Sequence, residues 1–338
     1  MPTPFDDAHK GEKTLRLGAV GETRLIAHIR EWLGDVCPPA PRGSGDDCAV
    51  LPAQPLPGKR LATVDSVIWG QHFDAAVAAF DAGAKLVKRN LSDIAAMGGT
   101  PADALLSLVC GKNTALAWLA DFFAGVAAVC RANGVELAGG DVAAAPDNFF
   151  CATLALTGFA EHPLLRLAAR AGDTLLVTGD LGGSLAGKHF AFEPRLAQGR
   201  WLAAQAGVHA AMDISDGLAK DLPAMLPSGC DAVLEAGALP VSAAALEAAA
   251  PLMCAEDVRG DALWRALCDG EDYELLVAAA PESVPDLLTA WRKQFPALAF
   301  APIGKIVPAA PGHPGGKLRW AHDIEGEISR ARGYTHFA

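Results

Sequence analysis

Five short segments of this chain carry aspartate among small residues: Gly45-Asp46-Asp47, Thr63-Val64-Asp65, Asn90-Leu91-Ser92-Asp93, Gly139-Gly140-Asp141 and Asp213-Ile214-Ser215-Asp216-Gly217. They narrow the possible folds because aspartate is a poor residue for a helix interior or a strand. Each by itself reads as a turn or a helix cap. Five of them in a chain that is 51% hydrophobic point instead to carboxylates gathered around hard cations. Mg²⁺ takes a few carboxylates and keeps the rest of its octahedron for water and substrate phosphates. The pattern therefore directs attention to phosphoryl chemistry.

The 338 residues suffice for two domains. Aromatic residues make up only 7%, so the core has to be built largely from Ala, Leu and Val. Helical periodicity runs over Glu22 to Leu33 and is closed by Gly34; longer helices are expected over Ala75 to Met97 and Ala115 to Ala132. Strands are expected at Cys48–Leu51, Arg60–Val64, Ala104–Val109, Val135–Ala138, Phe149–Thr157 and Thr174–Thr178, with strands and Ala-rich helices alternating again to Gly304. A composition shift at 158–167 sets the expected domain boundary, giving domains over 1–160 and 161–338. The fold class is α/β (α+β).

A formal charge of −11 and the lack of a basic stripe argue against nucleic-acid binding. An acidic chain still binds polyphosphate when metal ions bridge the two sets of negative charge. Eight Cys without any CxxC spacing read as reduced core residues rather than a zinc site. Met1 to Gly18 has no apolar signal-like region, and the apolar stretch from Leu116 to Val129 is broken by Asp121. A soluble cytoplasmic protein without membrane contact is expected.

Asn90 and Asp93 share a helix face, with Lys85, Lys88 and Arg89 one turn earlier. The plain alternative is an exposed Arg89–Asp93 pair. Asp213 and Asp216 bracket Ser215 before Gly217-Leu218, where they would cap a helix starting near Leu218 or hold a cation at its start. Gly45-Asp46-Asp47 and Gly139-Gly140-Asp141 place carboxylates at strand edges, where Asx turns would also explain them. Gly182 to Lys188 has P-loop spacing, but His189 stands where a Ser or Thr hydroxyl would meet Mg²⁺. A Gly-rich strand-to-helix turn is the expectation there. Asp269-Gly270-Glu271-Asp272-Tyr273-Glu274 puts several acids before an apolar strand and suggests the wall of a polar pocket, and His72 sits in Gly70-Gln71-His72-Phe73 after the Asp65 strand.

In this order the segments resemble the thiamine-monophosphate kinase family of the aminoimidazole ribonucleotide synthetase-like superfamily. The resemblance runs from Gly21-Glu22 through Gly45 to Leu51, Asp65, Asn90 to Gly98, Gly139 to Asp141, Pro194-Arg195 and Met212 to Leu218. It ends with Gly270 to Leu276 and Gly333-Tyr334. It implies a two-domain fold whose N-terminal sheets pair across a homodimer, and ATP-dependent phosphorylation of thiamine monophosphate to thiamine diphosphate by direct in-line transfer. It implies several Mg²⁺ ions between the domains, held by Asp47, Thr63, the Val64 backbone, Asp65, Asp93, Asp141, Asp213 and Asp216. ATP would be met by Gly140, Asp141, Arg166 and Ser215, and the thiamine substrate by His72, Glu271 and Tyr334. No general base is implied, since a phosphate oxygen is already ionised near neutral pH.

Trp69 near His72, Val142-Ala143-Ala144 after Asp141, and Asp269 before Glu271 depart from the family pattern. They leave a second reading open, a related ATP-dependent enzyme acting on another acceptor.

Overall fold

Alternation with a period of two is plainest in Phe150–Ala160 (β4), which buries Phe150, Ala152, Leu154 and Leu156 and turns Cys151, Thr153, Ala155 and Thr157 the other way. The chain, seen in a computed structural model, is described at residues 3, 5, 15–43, 48–51, 58–249, 255–322, 328, 331, 333 and 334. Contacts divide it into two units: Met1–Ile94 with Gly99–Glu161, and Ala95–Gly98 with His162–Ala338.

In the first unit β4 lies inside a four-stranded sheet with Lys59–Ile68 (β1), Thr100–Gly111 (β2) and Glu136–Ala145 (β3), in the order β1-β4-β2-β3. β4 is antiparallel to both neighbours, whereas β2 and β3 run parallel and are joined by the crossover helix Leu116–Asn133 (α3). Glu22–Leu33 (α1) and Ala79–Ala96 (α2) complete the unit's longer helices. Gly83 on α2 and Gly125 on α3 sit at a close crossing. A Cβ on Gly83 would strike the Phe122 carbonyl, and one on Gly125 the Phe80 carbonyl. The rings of Trp118 and Phe122 on α3 then pack on Phe150, with centroids 4.9 and 5.2 Å apart. Each such buried ring contributes roughly 2–3 kcal/mol of hydrophobic stabilisation. α3 ends where Gly134 takes a left-handed conformation. It is the one helix among the described residues long and apolar enough to cross a membrane, and half of that window is buried inside the protein.

Cys48–Leu51 does not form the expected strand, and Cys48 and Val50 are exposed. Pro52, which cannot donate to a ladder, follows directly.

In the second unit six strands take the order β10-β7-β9-β5-β8-β6. They are Thr174–Thr178 (β5), Val208–Asp213 (β6), Cys230–Leu234 (β7), Leu275–Ala279 (β8), Phe300–Pro308 (β9) and Leu318–Trp320 (β10). Only β10 and β7 are parallel. β5 and β8 are inner strands with both faces covered, so they read as unbroken apolar runs. Leu175, Val177 and Leu276 enter one core cluster; Leu176, Leu275 and Val277 enter another, with Trp291.

Candidate active site

β1 turns Thr63 and Asp65 to one face and exposes Val64 on the other. Thr63 Oγ1 donates to Asp93 Oδ2 on α2, so two of the expected metal ligands meet directly. Asp65 pairs with Arg89, whose Nη2 is 3.2 Å from Oδ1 and whose Nη1 donates to the Ser66 carbonyl at 2.6 Å. Arg89 thus makes a contact across to the strand that its place on the helix did not imply, because β1 lies beside the helix face that carries it. Asn90 is fully buried: its Nδ2 donates to the Leu86 carbonyl, while Oδ1 has no partner among the described residues. His72 follows in the turn after β1. Its Nδ1 accepts from the Ile68 N–H at 3.1 Å, which leaves the ring proton of a neutral imidazole on Nε2. The buried Lys85 holds the His72 carbonyl at 2.7 Å.

Gly139-Gly140-Asp141 lies within β3, where sequence reading set it at a strand edge beside a turn. Gly140 is what permits this, because a Cβ there would collide with the Leu106 carbonyl of β2. β1 and β3 are opposite edges of the sheet. Asp65 is in register with Leu154, Leu106 and Gly140, and Asp141 belongs to the next row with Ser66, Thr153 and Ser107. Three strand spacings separate Asp65 from Asp141, about 14 Å. Gly140 and Asp141 instead line a cavity of 540 Å³ with Ile26, Ile29 and Leu33 of α1 and Phe123 of α3.

In the second unit Asp213 ends β6 and is buried. Neither Asp213 nor Asp216 caps the short helix Leu218–Asp221, whose N-cap is Gly217 with no side-chain cap bond. The turn is held by Asp221, whose Oδ2 accepts the N–H groups of Ser215 (3.0 Å) and Asp216 (2.9 Å). Burial pushes the Asp221 carboxyl up to about 6, against the lowering effect of those two bonds. Asp221 was not singled out from sequence; its signal was only an acid five residues after Asp216. Asp216 itself pairs with Lys220.

Backbone bonds gather the other expected residues of this unit around that turn. The Glu271 N–H donates to the Ser215 carbonyl (2.7 Å), Tyr273 N–H to Ile214 (2.8 Å), and Tyr334 N–H to Asp216 (2.8 Å). The turn that mimics a P-loop is part of the same assembly, but its donors face inward. Gly182 N–H bonds Asp272 Oδ1 at 3.0 Å, Gly183 N–H bonds Asp269 Oδ2 at 2.8 Å, and Ser184 Oγ donates to the Gly270 carbonyl. The acids of 269–274 thus occupy the place a phosphate would take. Asp272 is fully buried, and burial drives its carboxyl well above the ordinary range. Glu274, also buried, binds Arg195 through both oxygens (2.6 and 2.8 Å), Thr178 at 2.7 Å and Lys188 at 3.1 Å. Tyr273 is stacked on Phe192 with centroids 4.0 Å apart, so its ring is taken by the core rather than offered to a ligand. Tyr334 is 46% exposed. Arg166 lies exposed in a 3₁₀ turn that packs near β6. Asp47 lies outside the described residues.

The donors are all oxygens: hydroxyls and carboxylates, with no thiolate or imidazole. That set suits a hard cation. Among the described residues no three His, Cys, Asp or Glu side chains converge as a ready-made cage. Mg²⁺ bound by one or two carboxylates, with water and phosphate filling its octahedron, does not call for such a cage.

Residues 45–160 match the N-terminal domain, and residues 170–312 the C-terminal domain, of AIR synthase related proteins. Thiamine-monophosphate kinase of Rhodopirellula baltica is 37% identical over 77% of this chain and 83% of its own length. The chain belongs to the thiamine-monophosphate kinase family. It is a phosphotransferase with the two-domain AIR synthase-like fold that its motifs implied. The crystal structure of thiamine-monophosphate kinase from Stenotrophomonas maltophilia K279a superposes with a TM-score of 0.69 at 30% identity, over 88% of this chain and 95% of that one. AaThiL complexed with AMPPCP and TMP gives a TM-score of 0.67 at 26% identity, over 96% of this chain and all of that one.

Proposed function

We propose that this protein transfers the γ-phosphoryl group of ATP to the phosphate of thiamine monophosphate, releasing thiamine diphosphate and ADP, with Mg²⁺ as the required cation. The observation that carries this is the convergence of Ser215, Asp216, Glu271 and Tyr334 through backbone hydrogen bonds. Residues that the family pattern assigns to the phosphate side and to the acceptor side, spread over 215–334, are tied to one turn.

Thr63, Asp65, Asp93, Asp213 and Asp216 would hold Mg²⁺, with Asp47, the Val64 backbone and Asp141 completing the set. The cation supplies neutralisation of the two phosphate charges that the reaction brings together. Asp65 and Asp216 are paired with Arg89 and Lys220, which holds the carboxylates oriented before substrate arrives. The cavity beside Gly140 is of a size that suits a nucleotide and has an apolar wall for the adenine. Arg166 and Ser215 would meet the phosphates. His72 would offer Nε2–H to the acceptor, together with Glu271 and Tyr334. These groups position and neutralise, which is most of what phosphoryl transfer requires.

The first sheet supports a homodimer. Val64 (61%) and Leu105 (46%) are exposed on one face, and among the described residues β1 and β3 are its edge strands. Pairing β1 of one copy with β3 of another would place the second copy's Asp141 beside Asp65, which the 14 Å span across one sheet prevents within a single chain. The free cysteines support a cytoplasmic location.

The test is purified protein with ATP, Mg²⁺ and thiamine monophosphate, following ADP release and thiamine diphosphate together. Turnover that vanishes with EDTA and falls at least about 100-fold in Asp93→Asn is expected. Absence of thiamine diphosphate at saturating ATP and Mg²⁺ would sink the proposal.

A further inference from the structure

His189 stands at the end of the P-loop-like turn, where the sequence offers no reason for an imidazole. It is buried at 8% exposure in the short helix Lys188–Ala191, and its ring lies edge-on to Phe190 with centroids 4.7 Å apart. Its Nδ1 lies 3.2 Å from Oε2 of Glu271. A carboxylate only accepts, so Nδ1 carries the proton of this contact.

Glu271 is a constrained residue. Its backbone is left-handed at φ 64, a conformation that non-glycine residues rarely adopt. Its N–H is tied to the Ser215 carbonyl, and the neighbouring Asp272 is anchored on Gly182. The root of the side chain is therefore set, yet three rotatable bonds separate that root from the carboxylate. The Tyr273 hydroxyl reaches Oε1 only at 3.5 Å, the limit of a hydrogen bond. Of these two contacts the one from His189 is the shorter. The Glu271 side chain keeps 19% exposure while that of His189 keeps 10%, so the imidazole meets the carboxylate from the protein side.

We propose that His189 is a positioning residue that aims the Glu271 carboxylate at the acceptor and so sets affinity for the acceptor rather than the rate of phosphoryl transfer. This rests on the reading of Glu271 as an acceptor-side contact. Thiamine monophosphate carries a positively charged thiazolium ring and an aminopyrimidine, and a carboxylate held in one orientation recognises either. A free carboxylate must first lose rotamer freedom to do so, which weakens binding without touching the transferring phosphate. The P-loop-like turn acquires a role by this account: it holds the acceptor side, with its glycine N–H groups on Asp272 and Asp269 and its terminal imidazole on Glu271.

The experiment is steady-state kinetics on the full chain with thiamine monophosphate and ATP varied separately, for His189→Leu, His189→Asn, Glu271→Gln and the double variant His189→Leu/Glu271→Gln. His189→Leu is expected to raise KM for thiamine monophosphate about tenfold, with kcat and KM for ATP within about twofold. Asn places an amide N–H near the position of Nδ1–H, so His189→Asn should recover most of that loss. The double variant should be no worse than Glu271→Gln alone, as expected of two groups that act as one. Three results overturn the inference. Unchanged KM in His189→Leu while Glu271→Gln raises it would remove His189 alone. Unchanged KM in Glu271→Gln would remove the acceptor-side reading and the inference with it. Equal losses in kcat and in both KM values, with no recovery in His189→Asn, would reduce His189 to a fold-supporting residue.

Discussion

Strand β8 sends Leu276 and Ala278 into one core cluster and Leu275, Val277 and Ala279 into a second. Strand β4 buries Phe150, Ala152, Leu154 and Leu156 on one side, while Ala155 on the other is exposed beside Val64 and Leu105. One sheet is covered on both faces by its own chain; the other, among the described residues, leaves an apolar face exposed. The expected metal ligands are distributed accordingly. The covered sheet presents Asp213 at a strand end and Asp216 in the turn beyond it, where backbone bonds from its own loops reach Ile214, Ser215 and Asp216. The half-covered sheet splits its ligands between β1 and β3, at opposite edges. In the proposed homodimer this is the sheet to which the second copy would add.

The comparison is broken most directly by core substitution. Leu276→Ala should cost about 2–5 kcal/mol in chemical denaturation, because a void opens between two packed layers. Leu105→Ala on the open face should cost the single chain no more than about 0.5 kcal/mol. Equal losses would show that the two faces are not different in kind. Leu105→Glu sharpens the same contrast: sedimentation should report a shift toward monomer, with activity falling in step. A variant that stays associated, or a monomer that stays active, would contradict the pairing of first sheets.

A smaller effect is expected inside the covered unit. Asp221→Ala leaves the Ser215 and Asp216 N–H groups without their acceptor, at a cost of about 1–3 kcal/mol and an activity loss of about tenfold or more. Asp221→Asn, whose amide oxygen still accepts, should lose less of both. If Asn and Ala behaved alike, the two backbone bonds would not be what Asp221 contributes.

The smallest effect is a pH trend. Burial raises the Asp272 carboxyl above its ordinary value of 3.8, with Lys188 and the Gly182 N–H opposing. The folded state therefore binds that proton more tightly than the unfolded chain does. The stability it supplies is complete below pH 3.8 and is lost as pH rises through the raised value. Asp272→Asn keeps an acceptor for Gly182 and has no proton to lose. Its Tm relative to the parent chain should improve steadily from acid to alkaline buffer, and a difference independent of pH would contradict the raised carboxyl.

Much of this was legible in local sequence. Apolar residues three and four apart, ended by Gly34, define α1, and Thr174–Thr178 is a strand as its run of β-formers implied. Motif order along the chain, backed by the two AIR synthase-related domain matches, placed it in its family. These are properties of neighbouring residues, where period and turn chemistry act over a few positions. Pairings between distant side chains were not legible. Arg89 reached across to Asp65 on β1, Asp221 came to hold the turn before its helix through the Ser215 and Asp216 N–H groups, and a glycine-rich turn with phosphate-loop spacing closed on Asp272 and Asp269. Each depends on strand register and on which loop lies opposite, quantities that a local pattern does not contain. The five aspartate segments pointed by composition alone to an expectation of hard-cation chemistry, but only the fold decided that Asp141 and Asp65 sit at opposite edges of one sheet, because strand order follows from which apolar faces can be buried together.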